Sequence, residues 1–179
     1  MPDHPPPIQF VPLTVADLPR LARWLAAGDA RRWYARRDMS YADVQAEYGP
    51  KISGVEPARG SLIELGGAPI GYIQSYLIRD YPTYAAALRI EPGAAGLDLF
   101  IGEAAYLHRG FGSRALAQYI REFLFTEETV SCCVVGPDPE NAAAIRAYGK
   151  IGFEYVKTVQ VPGEDCPEYV LRVTREGLK

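Results

Sequence analysis

A chain of 179 residues, 48% hydrophobic and 23% charged, carries enough apolar material for one good core, and we expect one domain over residues 1–179. A net charge of −3 argues against the basic face of a nucleic-acid binder and suits a cationic partner. No window approaches the roughly 20 apolar residues of a membrane span, and the start Met1-Pro2-Asp3-His4-Pro5-Pro6-Pro7 holds no signal-like apolar run, so the expected location is the cytoplasm.

In chain order, Ile8 to Leu13 reads as a first strand, and Thr14-Val15-Ala16-Asp17 as the cap of a helix with Leu18, Leu21 and Leu25 at helical spacing. Ser40 to Tyr48 reads as a second short helix. Ser61 to Leu65 and Pro69 to Ile78 read as strands joined at Gly66-Gly67 in an antiparallel hairpin, and Arg79 to Ala94 as a loop. Gly96 to Gly102 is a short apolar strand interrupted by one carboxylate, Asp98. It leads through Tyr106-Leu107 into His108-Arg109-Gly110-Phe111-Gly112-Ser113, and then into a helix with Leu116, Ile120, Phe123 and Leu124 on one face. Ser131 to Val135 reads as a buried strand. Asp138 and Pro139 are placed as cap and first residue of a further helix that stops at Gly152. Phe153 to Val161 and Glu168 to Val173 read as two strands paired across the Pro162 to Pro167 loop. Cys132 and Cys133 lie in an apolar run and Cys166 in a polar loop, which gives neither a disulfide framework nor metal-ligand spacing, and no metal is expected.

Two motifs carry chemistry. In the first, Gly110 and Gly112 remove side chains where a backbone must approach a ligand, and a helix starting at once after them aims unpaired N–H groups and a positive dipole end at an anion. Arg109 and Arg114 favour a phosphate-bearing ligand, although a steric strand-to-helix turn fits the same residues. Neither a P-loop run nor a Gly-x-Gly-x-x-Gly dinucleotide fingerprint is present. In the second motif, Asn141 and Tyr148 are about two helical turns apart and share a face. They could line one cleft, or Tyr148 could serve as an amphipathic core residue and Asn141 as a first-turn polar residue.

Taken in this order, the segments from Ser61 to Phe153 resemble the GNAT superfamily of N-acetyltransferases, and within it the aminoglycoside 6′-N-acetyltransferases. The nearer likeness lies in Pro69 to Tyr76, Pro92-Gly93 with Gly96-Leu97-Asp98, Ala144 to Tyr148 with Gly152-Phe153-Glu154, and, further back, Arg32-Trp33-Tyr34 and Ala42 to Gln45. The resemblance implies an α/β fold with a mixed central sheet of about six to seven strands, splayed in the middle and flanked by about four helices. It implies acetyl-CoA as co-substrate. The coenzyme would be held by His108, Arg109, Gly110, Phe111, Gly112, Ser113, Arg114 and Asn141, with its pantetheine arm along Leu99, Phe100 and Ile101. Tyr148 would protonate the departing thiolate, and Asp98 would meet the acceptor amine, the alternative for Asp98 being a structural pair with an Arg. The acceptor pocket would draw on Glu91, Asp80, Glu164 and Asp165 for charge, Gln74 for polar contact, and Trp33, Tyr34 and Tyr76 for stacking on sugar rings.

Two residues depart from the family pattern. Leu107 stands where Gln or Arg is common, and Gly136 stands where the 6′-acetylating relatives commonly have an acid just before Pro137. The reading is acetylation of an aminoglycoside amine by direct transfer in a ternary complex, by a monomer or weak dimer, with no acyl carried on cysteine. A siderophore-pathway hydroxylysine-type acyltransferase, another small-amine acetyltransferase, a protein N-terminal acetyltransferase and a noncatalytic coenzyme A-binding module remain open beside it.

Overall fold

A computed structural model describes residues 6–179; Met1 to Pro5, part of the start expected above to hold no signal-like run, lie outside the described residues. Seven strands form one open mixed sheet in the order β1-β2-β3-β4-β5-β7-β6. They are β1 (Ile8–Pro12), β2 (Arg59–Leu65), β3 (Ala68–Leu77), β4 (Ala94–Ile101), β5 (Cys132–Val135), β6 (Glu154–Val159) and β7 (Glu168–Thr174). The α-helices are α1 (Leu18–Leu25), α2 (Tyr41–Ser53), α3 (Pro82–Leu88), α4 (Phe111–Tyr119) and α5 (Ala142–Lys150).

The chain clusters into two compact units. The first holds the chain up to Gln74 together with Leu99–Phe111. In it β1 pairs antiparallel with β2, from Ile8 opposite Leu65 to Pro12 opposite Ser61. The apolar spacing of α1 sends Leu18, Leu21, Trp24 and Leu25 inward, where they join Val44 and Tyr48 of α2 and Leu62, Tyr72 and Phe100 of the strands. Each buried Leu contributes about 1.5–3 kcal/mol relative to exposure. Ser40 caps α2, its hydroxyl accepting from the Asp43 N–H at 3.2 Å while the Asp43 carboxylate accepts from the Ser40 N–H at 2.7 Å.

The second unit holds Ser75–Asp98 and Gly112–Lys179. Here β4 runs parallel to β5 from Ala94 opposite Cys132 to Gly96 opposite Val134. β7 pairs antiparallel with both β5 and β6, with a bulge in β6 between Tyr155 and Lys157. Ile78, Leu88, Ala94, Cys132, Val134 and Val170 make its core.

Several expectations need correction. The stretch Arg79 to Ala94 is not all loop: Pro82 opens α3, and its Leu88 is fully buried. That adds a helix to the expected four. The helix starting at Ser40 runs past Tyr48 through Pro50 to Ser53, because Tyr48 and Ile52 both pack on the first core. Asp138 does not cap a helix at Pro139. Its Oδ1 accepts from the Glu140 N–H at 2.8 Å in a short turn, and Asn141 caps α5 instead, its Oδ1 accepting from the Ala144 N–H at 3.1 Å. Phe123 leaves the apolar face and is 45% exposed, since Ile120–Leu124 forms a wider π turn that shifts the helical phase.

Candidate active site

In the first unit, β4 ends in a short brace. The Glu103 carboxylate accepts from the Trp24 indole N–H at 2.8 Å and from Arg23 at 2.7 Å, which fixes the start of a 3-10 turn, Ala104–Tyr106. The glycine loop follows. His108 has φ 56° and Gly110 φ 81°, with Arg109 between them outside the positive-φ residues, and α4 begins at Phe111. Alternating signs of φ turn successive N–H groups toward one side, and such a concavity binds anions. The Arg109 guanidinium donates to the Ala105 carbonyl at 3.1 Å and lies 5.6 Å from the Phe111 ring, holding the loop closed. His108 lies 3.5 Å from the Asp29 carboxylate, and its side chain is exposed.

The same unit holds three residues expected in the acceptor pocket. Trp33 lies under the Arg32 guanidinium, 4.3 Å from its ring centroid. Tyr34 packs edge-on against Phe100 at 4.8 Å and Tyr72 at 6.5 Å. Gln74 is buried, and its Oε1 accepts from Tyr72 at 2.9 Å and Lys51 at 3.1 Å. Of the expected pantetheine contacts, Phe100 is buried while Leu99 and Ile101 are half-buried.

In the second unit, Asp98 is brought together with three phenols. Burial raises the pKa of Tyr148, and the charge of Asp98 raises it further. The same two causes act on Tyr76 and Tyr84. Tyr148 is half-buried, its ring 5.8 Å from Phe153. Gly96 shares a β4 face with Asp98, and a Cβ added there would strike the Tyr76 ring. The last β4 residue paired with β5 is Gly96, so the pairing stops just before Asp98.

Other expected residues stand differently. Glu91 pairs with Arg172; burial opposes its ionisation, but the hydrogen bonds from Arg172 hold its carboxyl below the usual range. Glu164 and Asp165 stand exposed in the loop before β7, where the Glu164 carbonyl accepts from Gln160 at 2.7 Å. Ser113 is half-buried, and Arg114 and Asp80 are exposed. Cys132 and Cys133 are buried. Burial pushes the Cys132 thiol up to about 11 and raises Cys133 further, so neither is a thiolate at neutral pH.

Sequence reasoning missed Tyr84 and Glu168. The Tyr84 hydroxyl donates to Glu168 at 2.8 Å. Tyr84 lay in a stretch read as loop, although Pro82 followed by an alanine run was a usable helix signal. Glu168 was simply the first residue of a strand. Among the described residues, no cluster of His, Cys, Asp and Glu is arranged to hold a metal ion, and no helix is long and apolar enough to cross a membrane.

An open mixed sheet carries a glycine loop that leads from β4 towards α4, and the second unit holds a carboxylate, Asp98, beside a tyrosine, Tyr148. The match to the acetyltransferase (GNAT) domain model over residues 14–161 shows that the chain belongs to the GNAT acetyltransferase family. It is 32% identical over 169 residues to an aminoglycoside N(6′)-acetyltransferase type 1 of Klebsiella pneumoniae, covering 93% of this chain and 83% of that protein. It is also similar to the crystal structure of aminoglycoside acetyltransferase AAC(6′)-Ib in complex with coenzyme A and kanamycin, with a TM-score of 0.83, 32% identity and 96% of each chain covered. The complex of AAC(6′)-Ib with ribostamycin and coenzyme A gives a TM-score of 0.85 at 30% identity, covering 95% of this chain and 94% of that one.

Proposed function

We propose that this chain is an acetyl-CoA-dependent N-acetyltransferase that modifies an aminoglycoside amine, the 6′-amine, by direct transfer in a ternary complex. The observation that carries this reading is the gathering of Asp98 with Tyr148 and Tyr76 just past the end of the β4–β5 pairing. The alternating-φ loop from His108 to Gly110 and the start of α4 suit the coenzyme pyrophosphate, with Arg109, Ser113 and Arg114 beside it. The β4 edge at Leu99, Phe100 and Ile101 suits the pantetheine amides, which would add to it as a strand does.

In this reading the acceptor nitrogen attacks the thioester carbonyl carbon and the C–S bond breaks. The leaving thiolate takes the Tyr148 proton, and the proton lost by the amine passes to Asp98, directly or through water. A raised pKa keeps Tyr148 protonated across the neutral range, which a proton donor needs. Buried, protonated Cys132 and Cys133 favour direct transfer over a covalent acyl-enzyme. Use of acetyl-CoA fits a cytoplasmic enzyme. Thiol release from acetyl-CoA, measured with kanamycin, ribostamycin, hydroxylysine and peptides as acceptors, tests the reading. Turnover with the two aminoglycosides is expected, and turnover with hydroxylysine or peptides alone would reassign the substrate.

A further inference from the structure

Glu103 has no part in the reaction above, yet it stands between the two stretches proposed to hold the coenzyme, the β4 edge at Leu99 to Ile101 and the loop from His108 to Gly110. The strand ends against β3, where the Gly102 and Glu103 N–H groups both donate to the Ile70 carbonyl, at 2.9 and 3.2 Å. There the Trp24 ring of α1 lies so close to Gly102 that an added Cβ would strike it at 2.2 Å. The missing side chain at 102 makes room for the indole. Trp24 is buried, and a buried indole N–H calls for an acceptor. Glu103 Oε1 supplies it at 2.8 Å and also accepts from Arg23 at 2.7 Å. The Arg23 side chain is 66% exposed, so its bond adds little, and the bond to the buried indole carries the greater share. Beyond Glu103 the brace continues through the 3-10 turn. The Glu103 carbonyl accepts from the Tyr106 N–H at 3.0 Å, the Ala104 carbonyl from the Leu107 N–H at 3.2 Å, and the Ala105 carbonyl from the Arg109 guanidinium of the glycine loop. One carboxylate thus ties α1 to the end of β4 and, through the turn, to the loop.

We propose that Glu103 is a positioning residue for the coenzyme: by holding the turn to Trp24 it fixes the separation between the β4 edge and the glycine loop, so that the pantetheine arm and the pyrophosphate of one molecule are met together. This rests on the coenzyme reading above and on no particular acceptor. A ligand that engages two linked subsites gains over either of its parts only when their spacing matches its own. Loosening the turn therefore weakens the whole coenzyme more than either part.

Titration calorimetry in the absence of an acceptor tests this, with coenzyme A, pantetheine and adenosine diphosphate as probes. Glu103→Ala is expected to weaken coenzyme A by about tenfold, while pantetheine and adenosine diphosphate, each reaching one subsite, change by less than about twofold. Glu103→Gln keeps an oxygen for the indole and recovers most of the loss. Trp24→Phe keeps a ring over Gly102 but removes the N–H; it reproduces the loss, and adding Glu103→Ala to it costs little more. That variant serves if Glu103→Ala does not fold. Coenzyme A affinity that does not move, an equal loss for the coenzyme and its parts, or no recovery in Glu103→Gln overturns the proposal. Wild-type protein that binds no coenzyme A refutes the underlying coenzyme reading instead, which separates the two failures.

Discussion

In the proposed reaction Tyr148 has a different duty from the residues around it. It sits on α5 two turns after Asn141, half-buried, with Asp98 near enough to oppose its ionisation. On that proposal, loss of its hydroxyl would remove the proton donor and leave the loop and the β4 edge intact. Tyr148→Phe is therefore expected to lower kcat by about a hundredfold or more with the KM for acetyl-CoA nearly unchanged, as steady-state kinetics would show. Unchanged turnover would mean that the thiolate is protonated from elsewhere. At this scale the sequence was informative where chemistry is unusual for its setting. A carboxylate in an apolar strand drew notice to Asp98, and spacing drew notice to Tyr148. The seat of Glu168 stayed hidden because the room for its carboxylate comes from a missing side chain at Gly136, more than thirty residues away along the chain. Asn141 was noticed, yet its Oδ1 caps α5 through the Ala144 N–H.

Elements were legible where period and punctuation agreed, as in α1, the β2–β3 turn at Gly66-Gly67 and the β6–β7 pair. They were missed where one short signal competed with another. α3 spans seven residues, too few for apolar periodicity to register, and its Pro82 reads as a breaker unless taken as a first helical residue. Asp138-Pro139 has the form of a helix start, but Asp138 uses its carboxylate on Glu140 and leaves capping to Asn141. The glycine loop offers the cleanest test of an element's role. Gly110 has φ 81°, and an added Cβ there would meet nothing within 4 Å, so the cost of Gly110→Ala is conformational. A non-glycine residue in that region costs about 1–2 kcal/mol. We expect thermal stability to fall by about that amount and the KM for acetyl-CoA to rise with kcat much less affected. A KM that does not change would remove the loop from coenzyme binding.

The molecule as a whole holds several acids in protonated form. Burial leads the causes that raise Tyr76, Tyr84, Tyr148, Cys132 and Cys133 above their ordinary values. In the unfolded chain the cysteines ionise near about 8.5 and the tyrosines near about 10. Above those values the unfolded state gains by losing protons that the folded state retains, so stability falls as pH rises. Denaturant midpoints should hold level to about pH 8.5, decline beyond it, and decline more steeply above about 10; a midpoint level to pH 11 would contradict the burial of these groups. The order of strands, loop and helices was readable along the chain, whereas the division into two compact units, which cuts β3 after Gln74 and β4 after Asp98, follows from contacts that no local pattern encodes.

Direct acetylation of an aminoglycoside amine is most directly tested by mass spectrometry of one incubation of the protein with acetyl-CoA and kanamycin. The account requires kanamycin carrying a single acetyl group on its 6′-amine and a protein whose mass is unchanged. Kanamycin recovered unmodified, or an acetyl group lodged on Cys132 or Cys133, would contradict it.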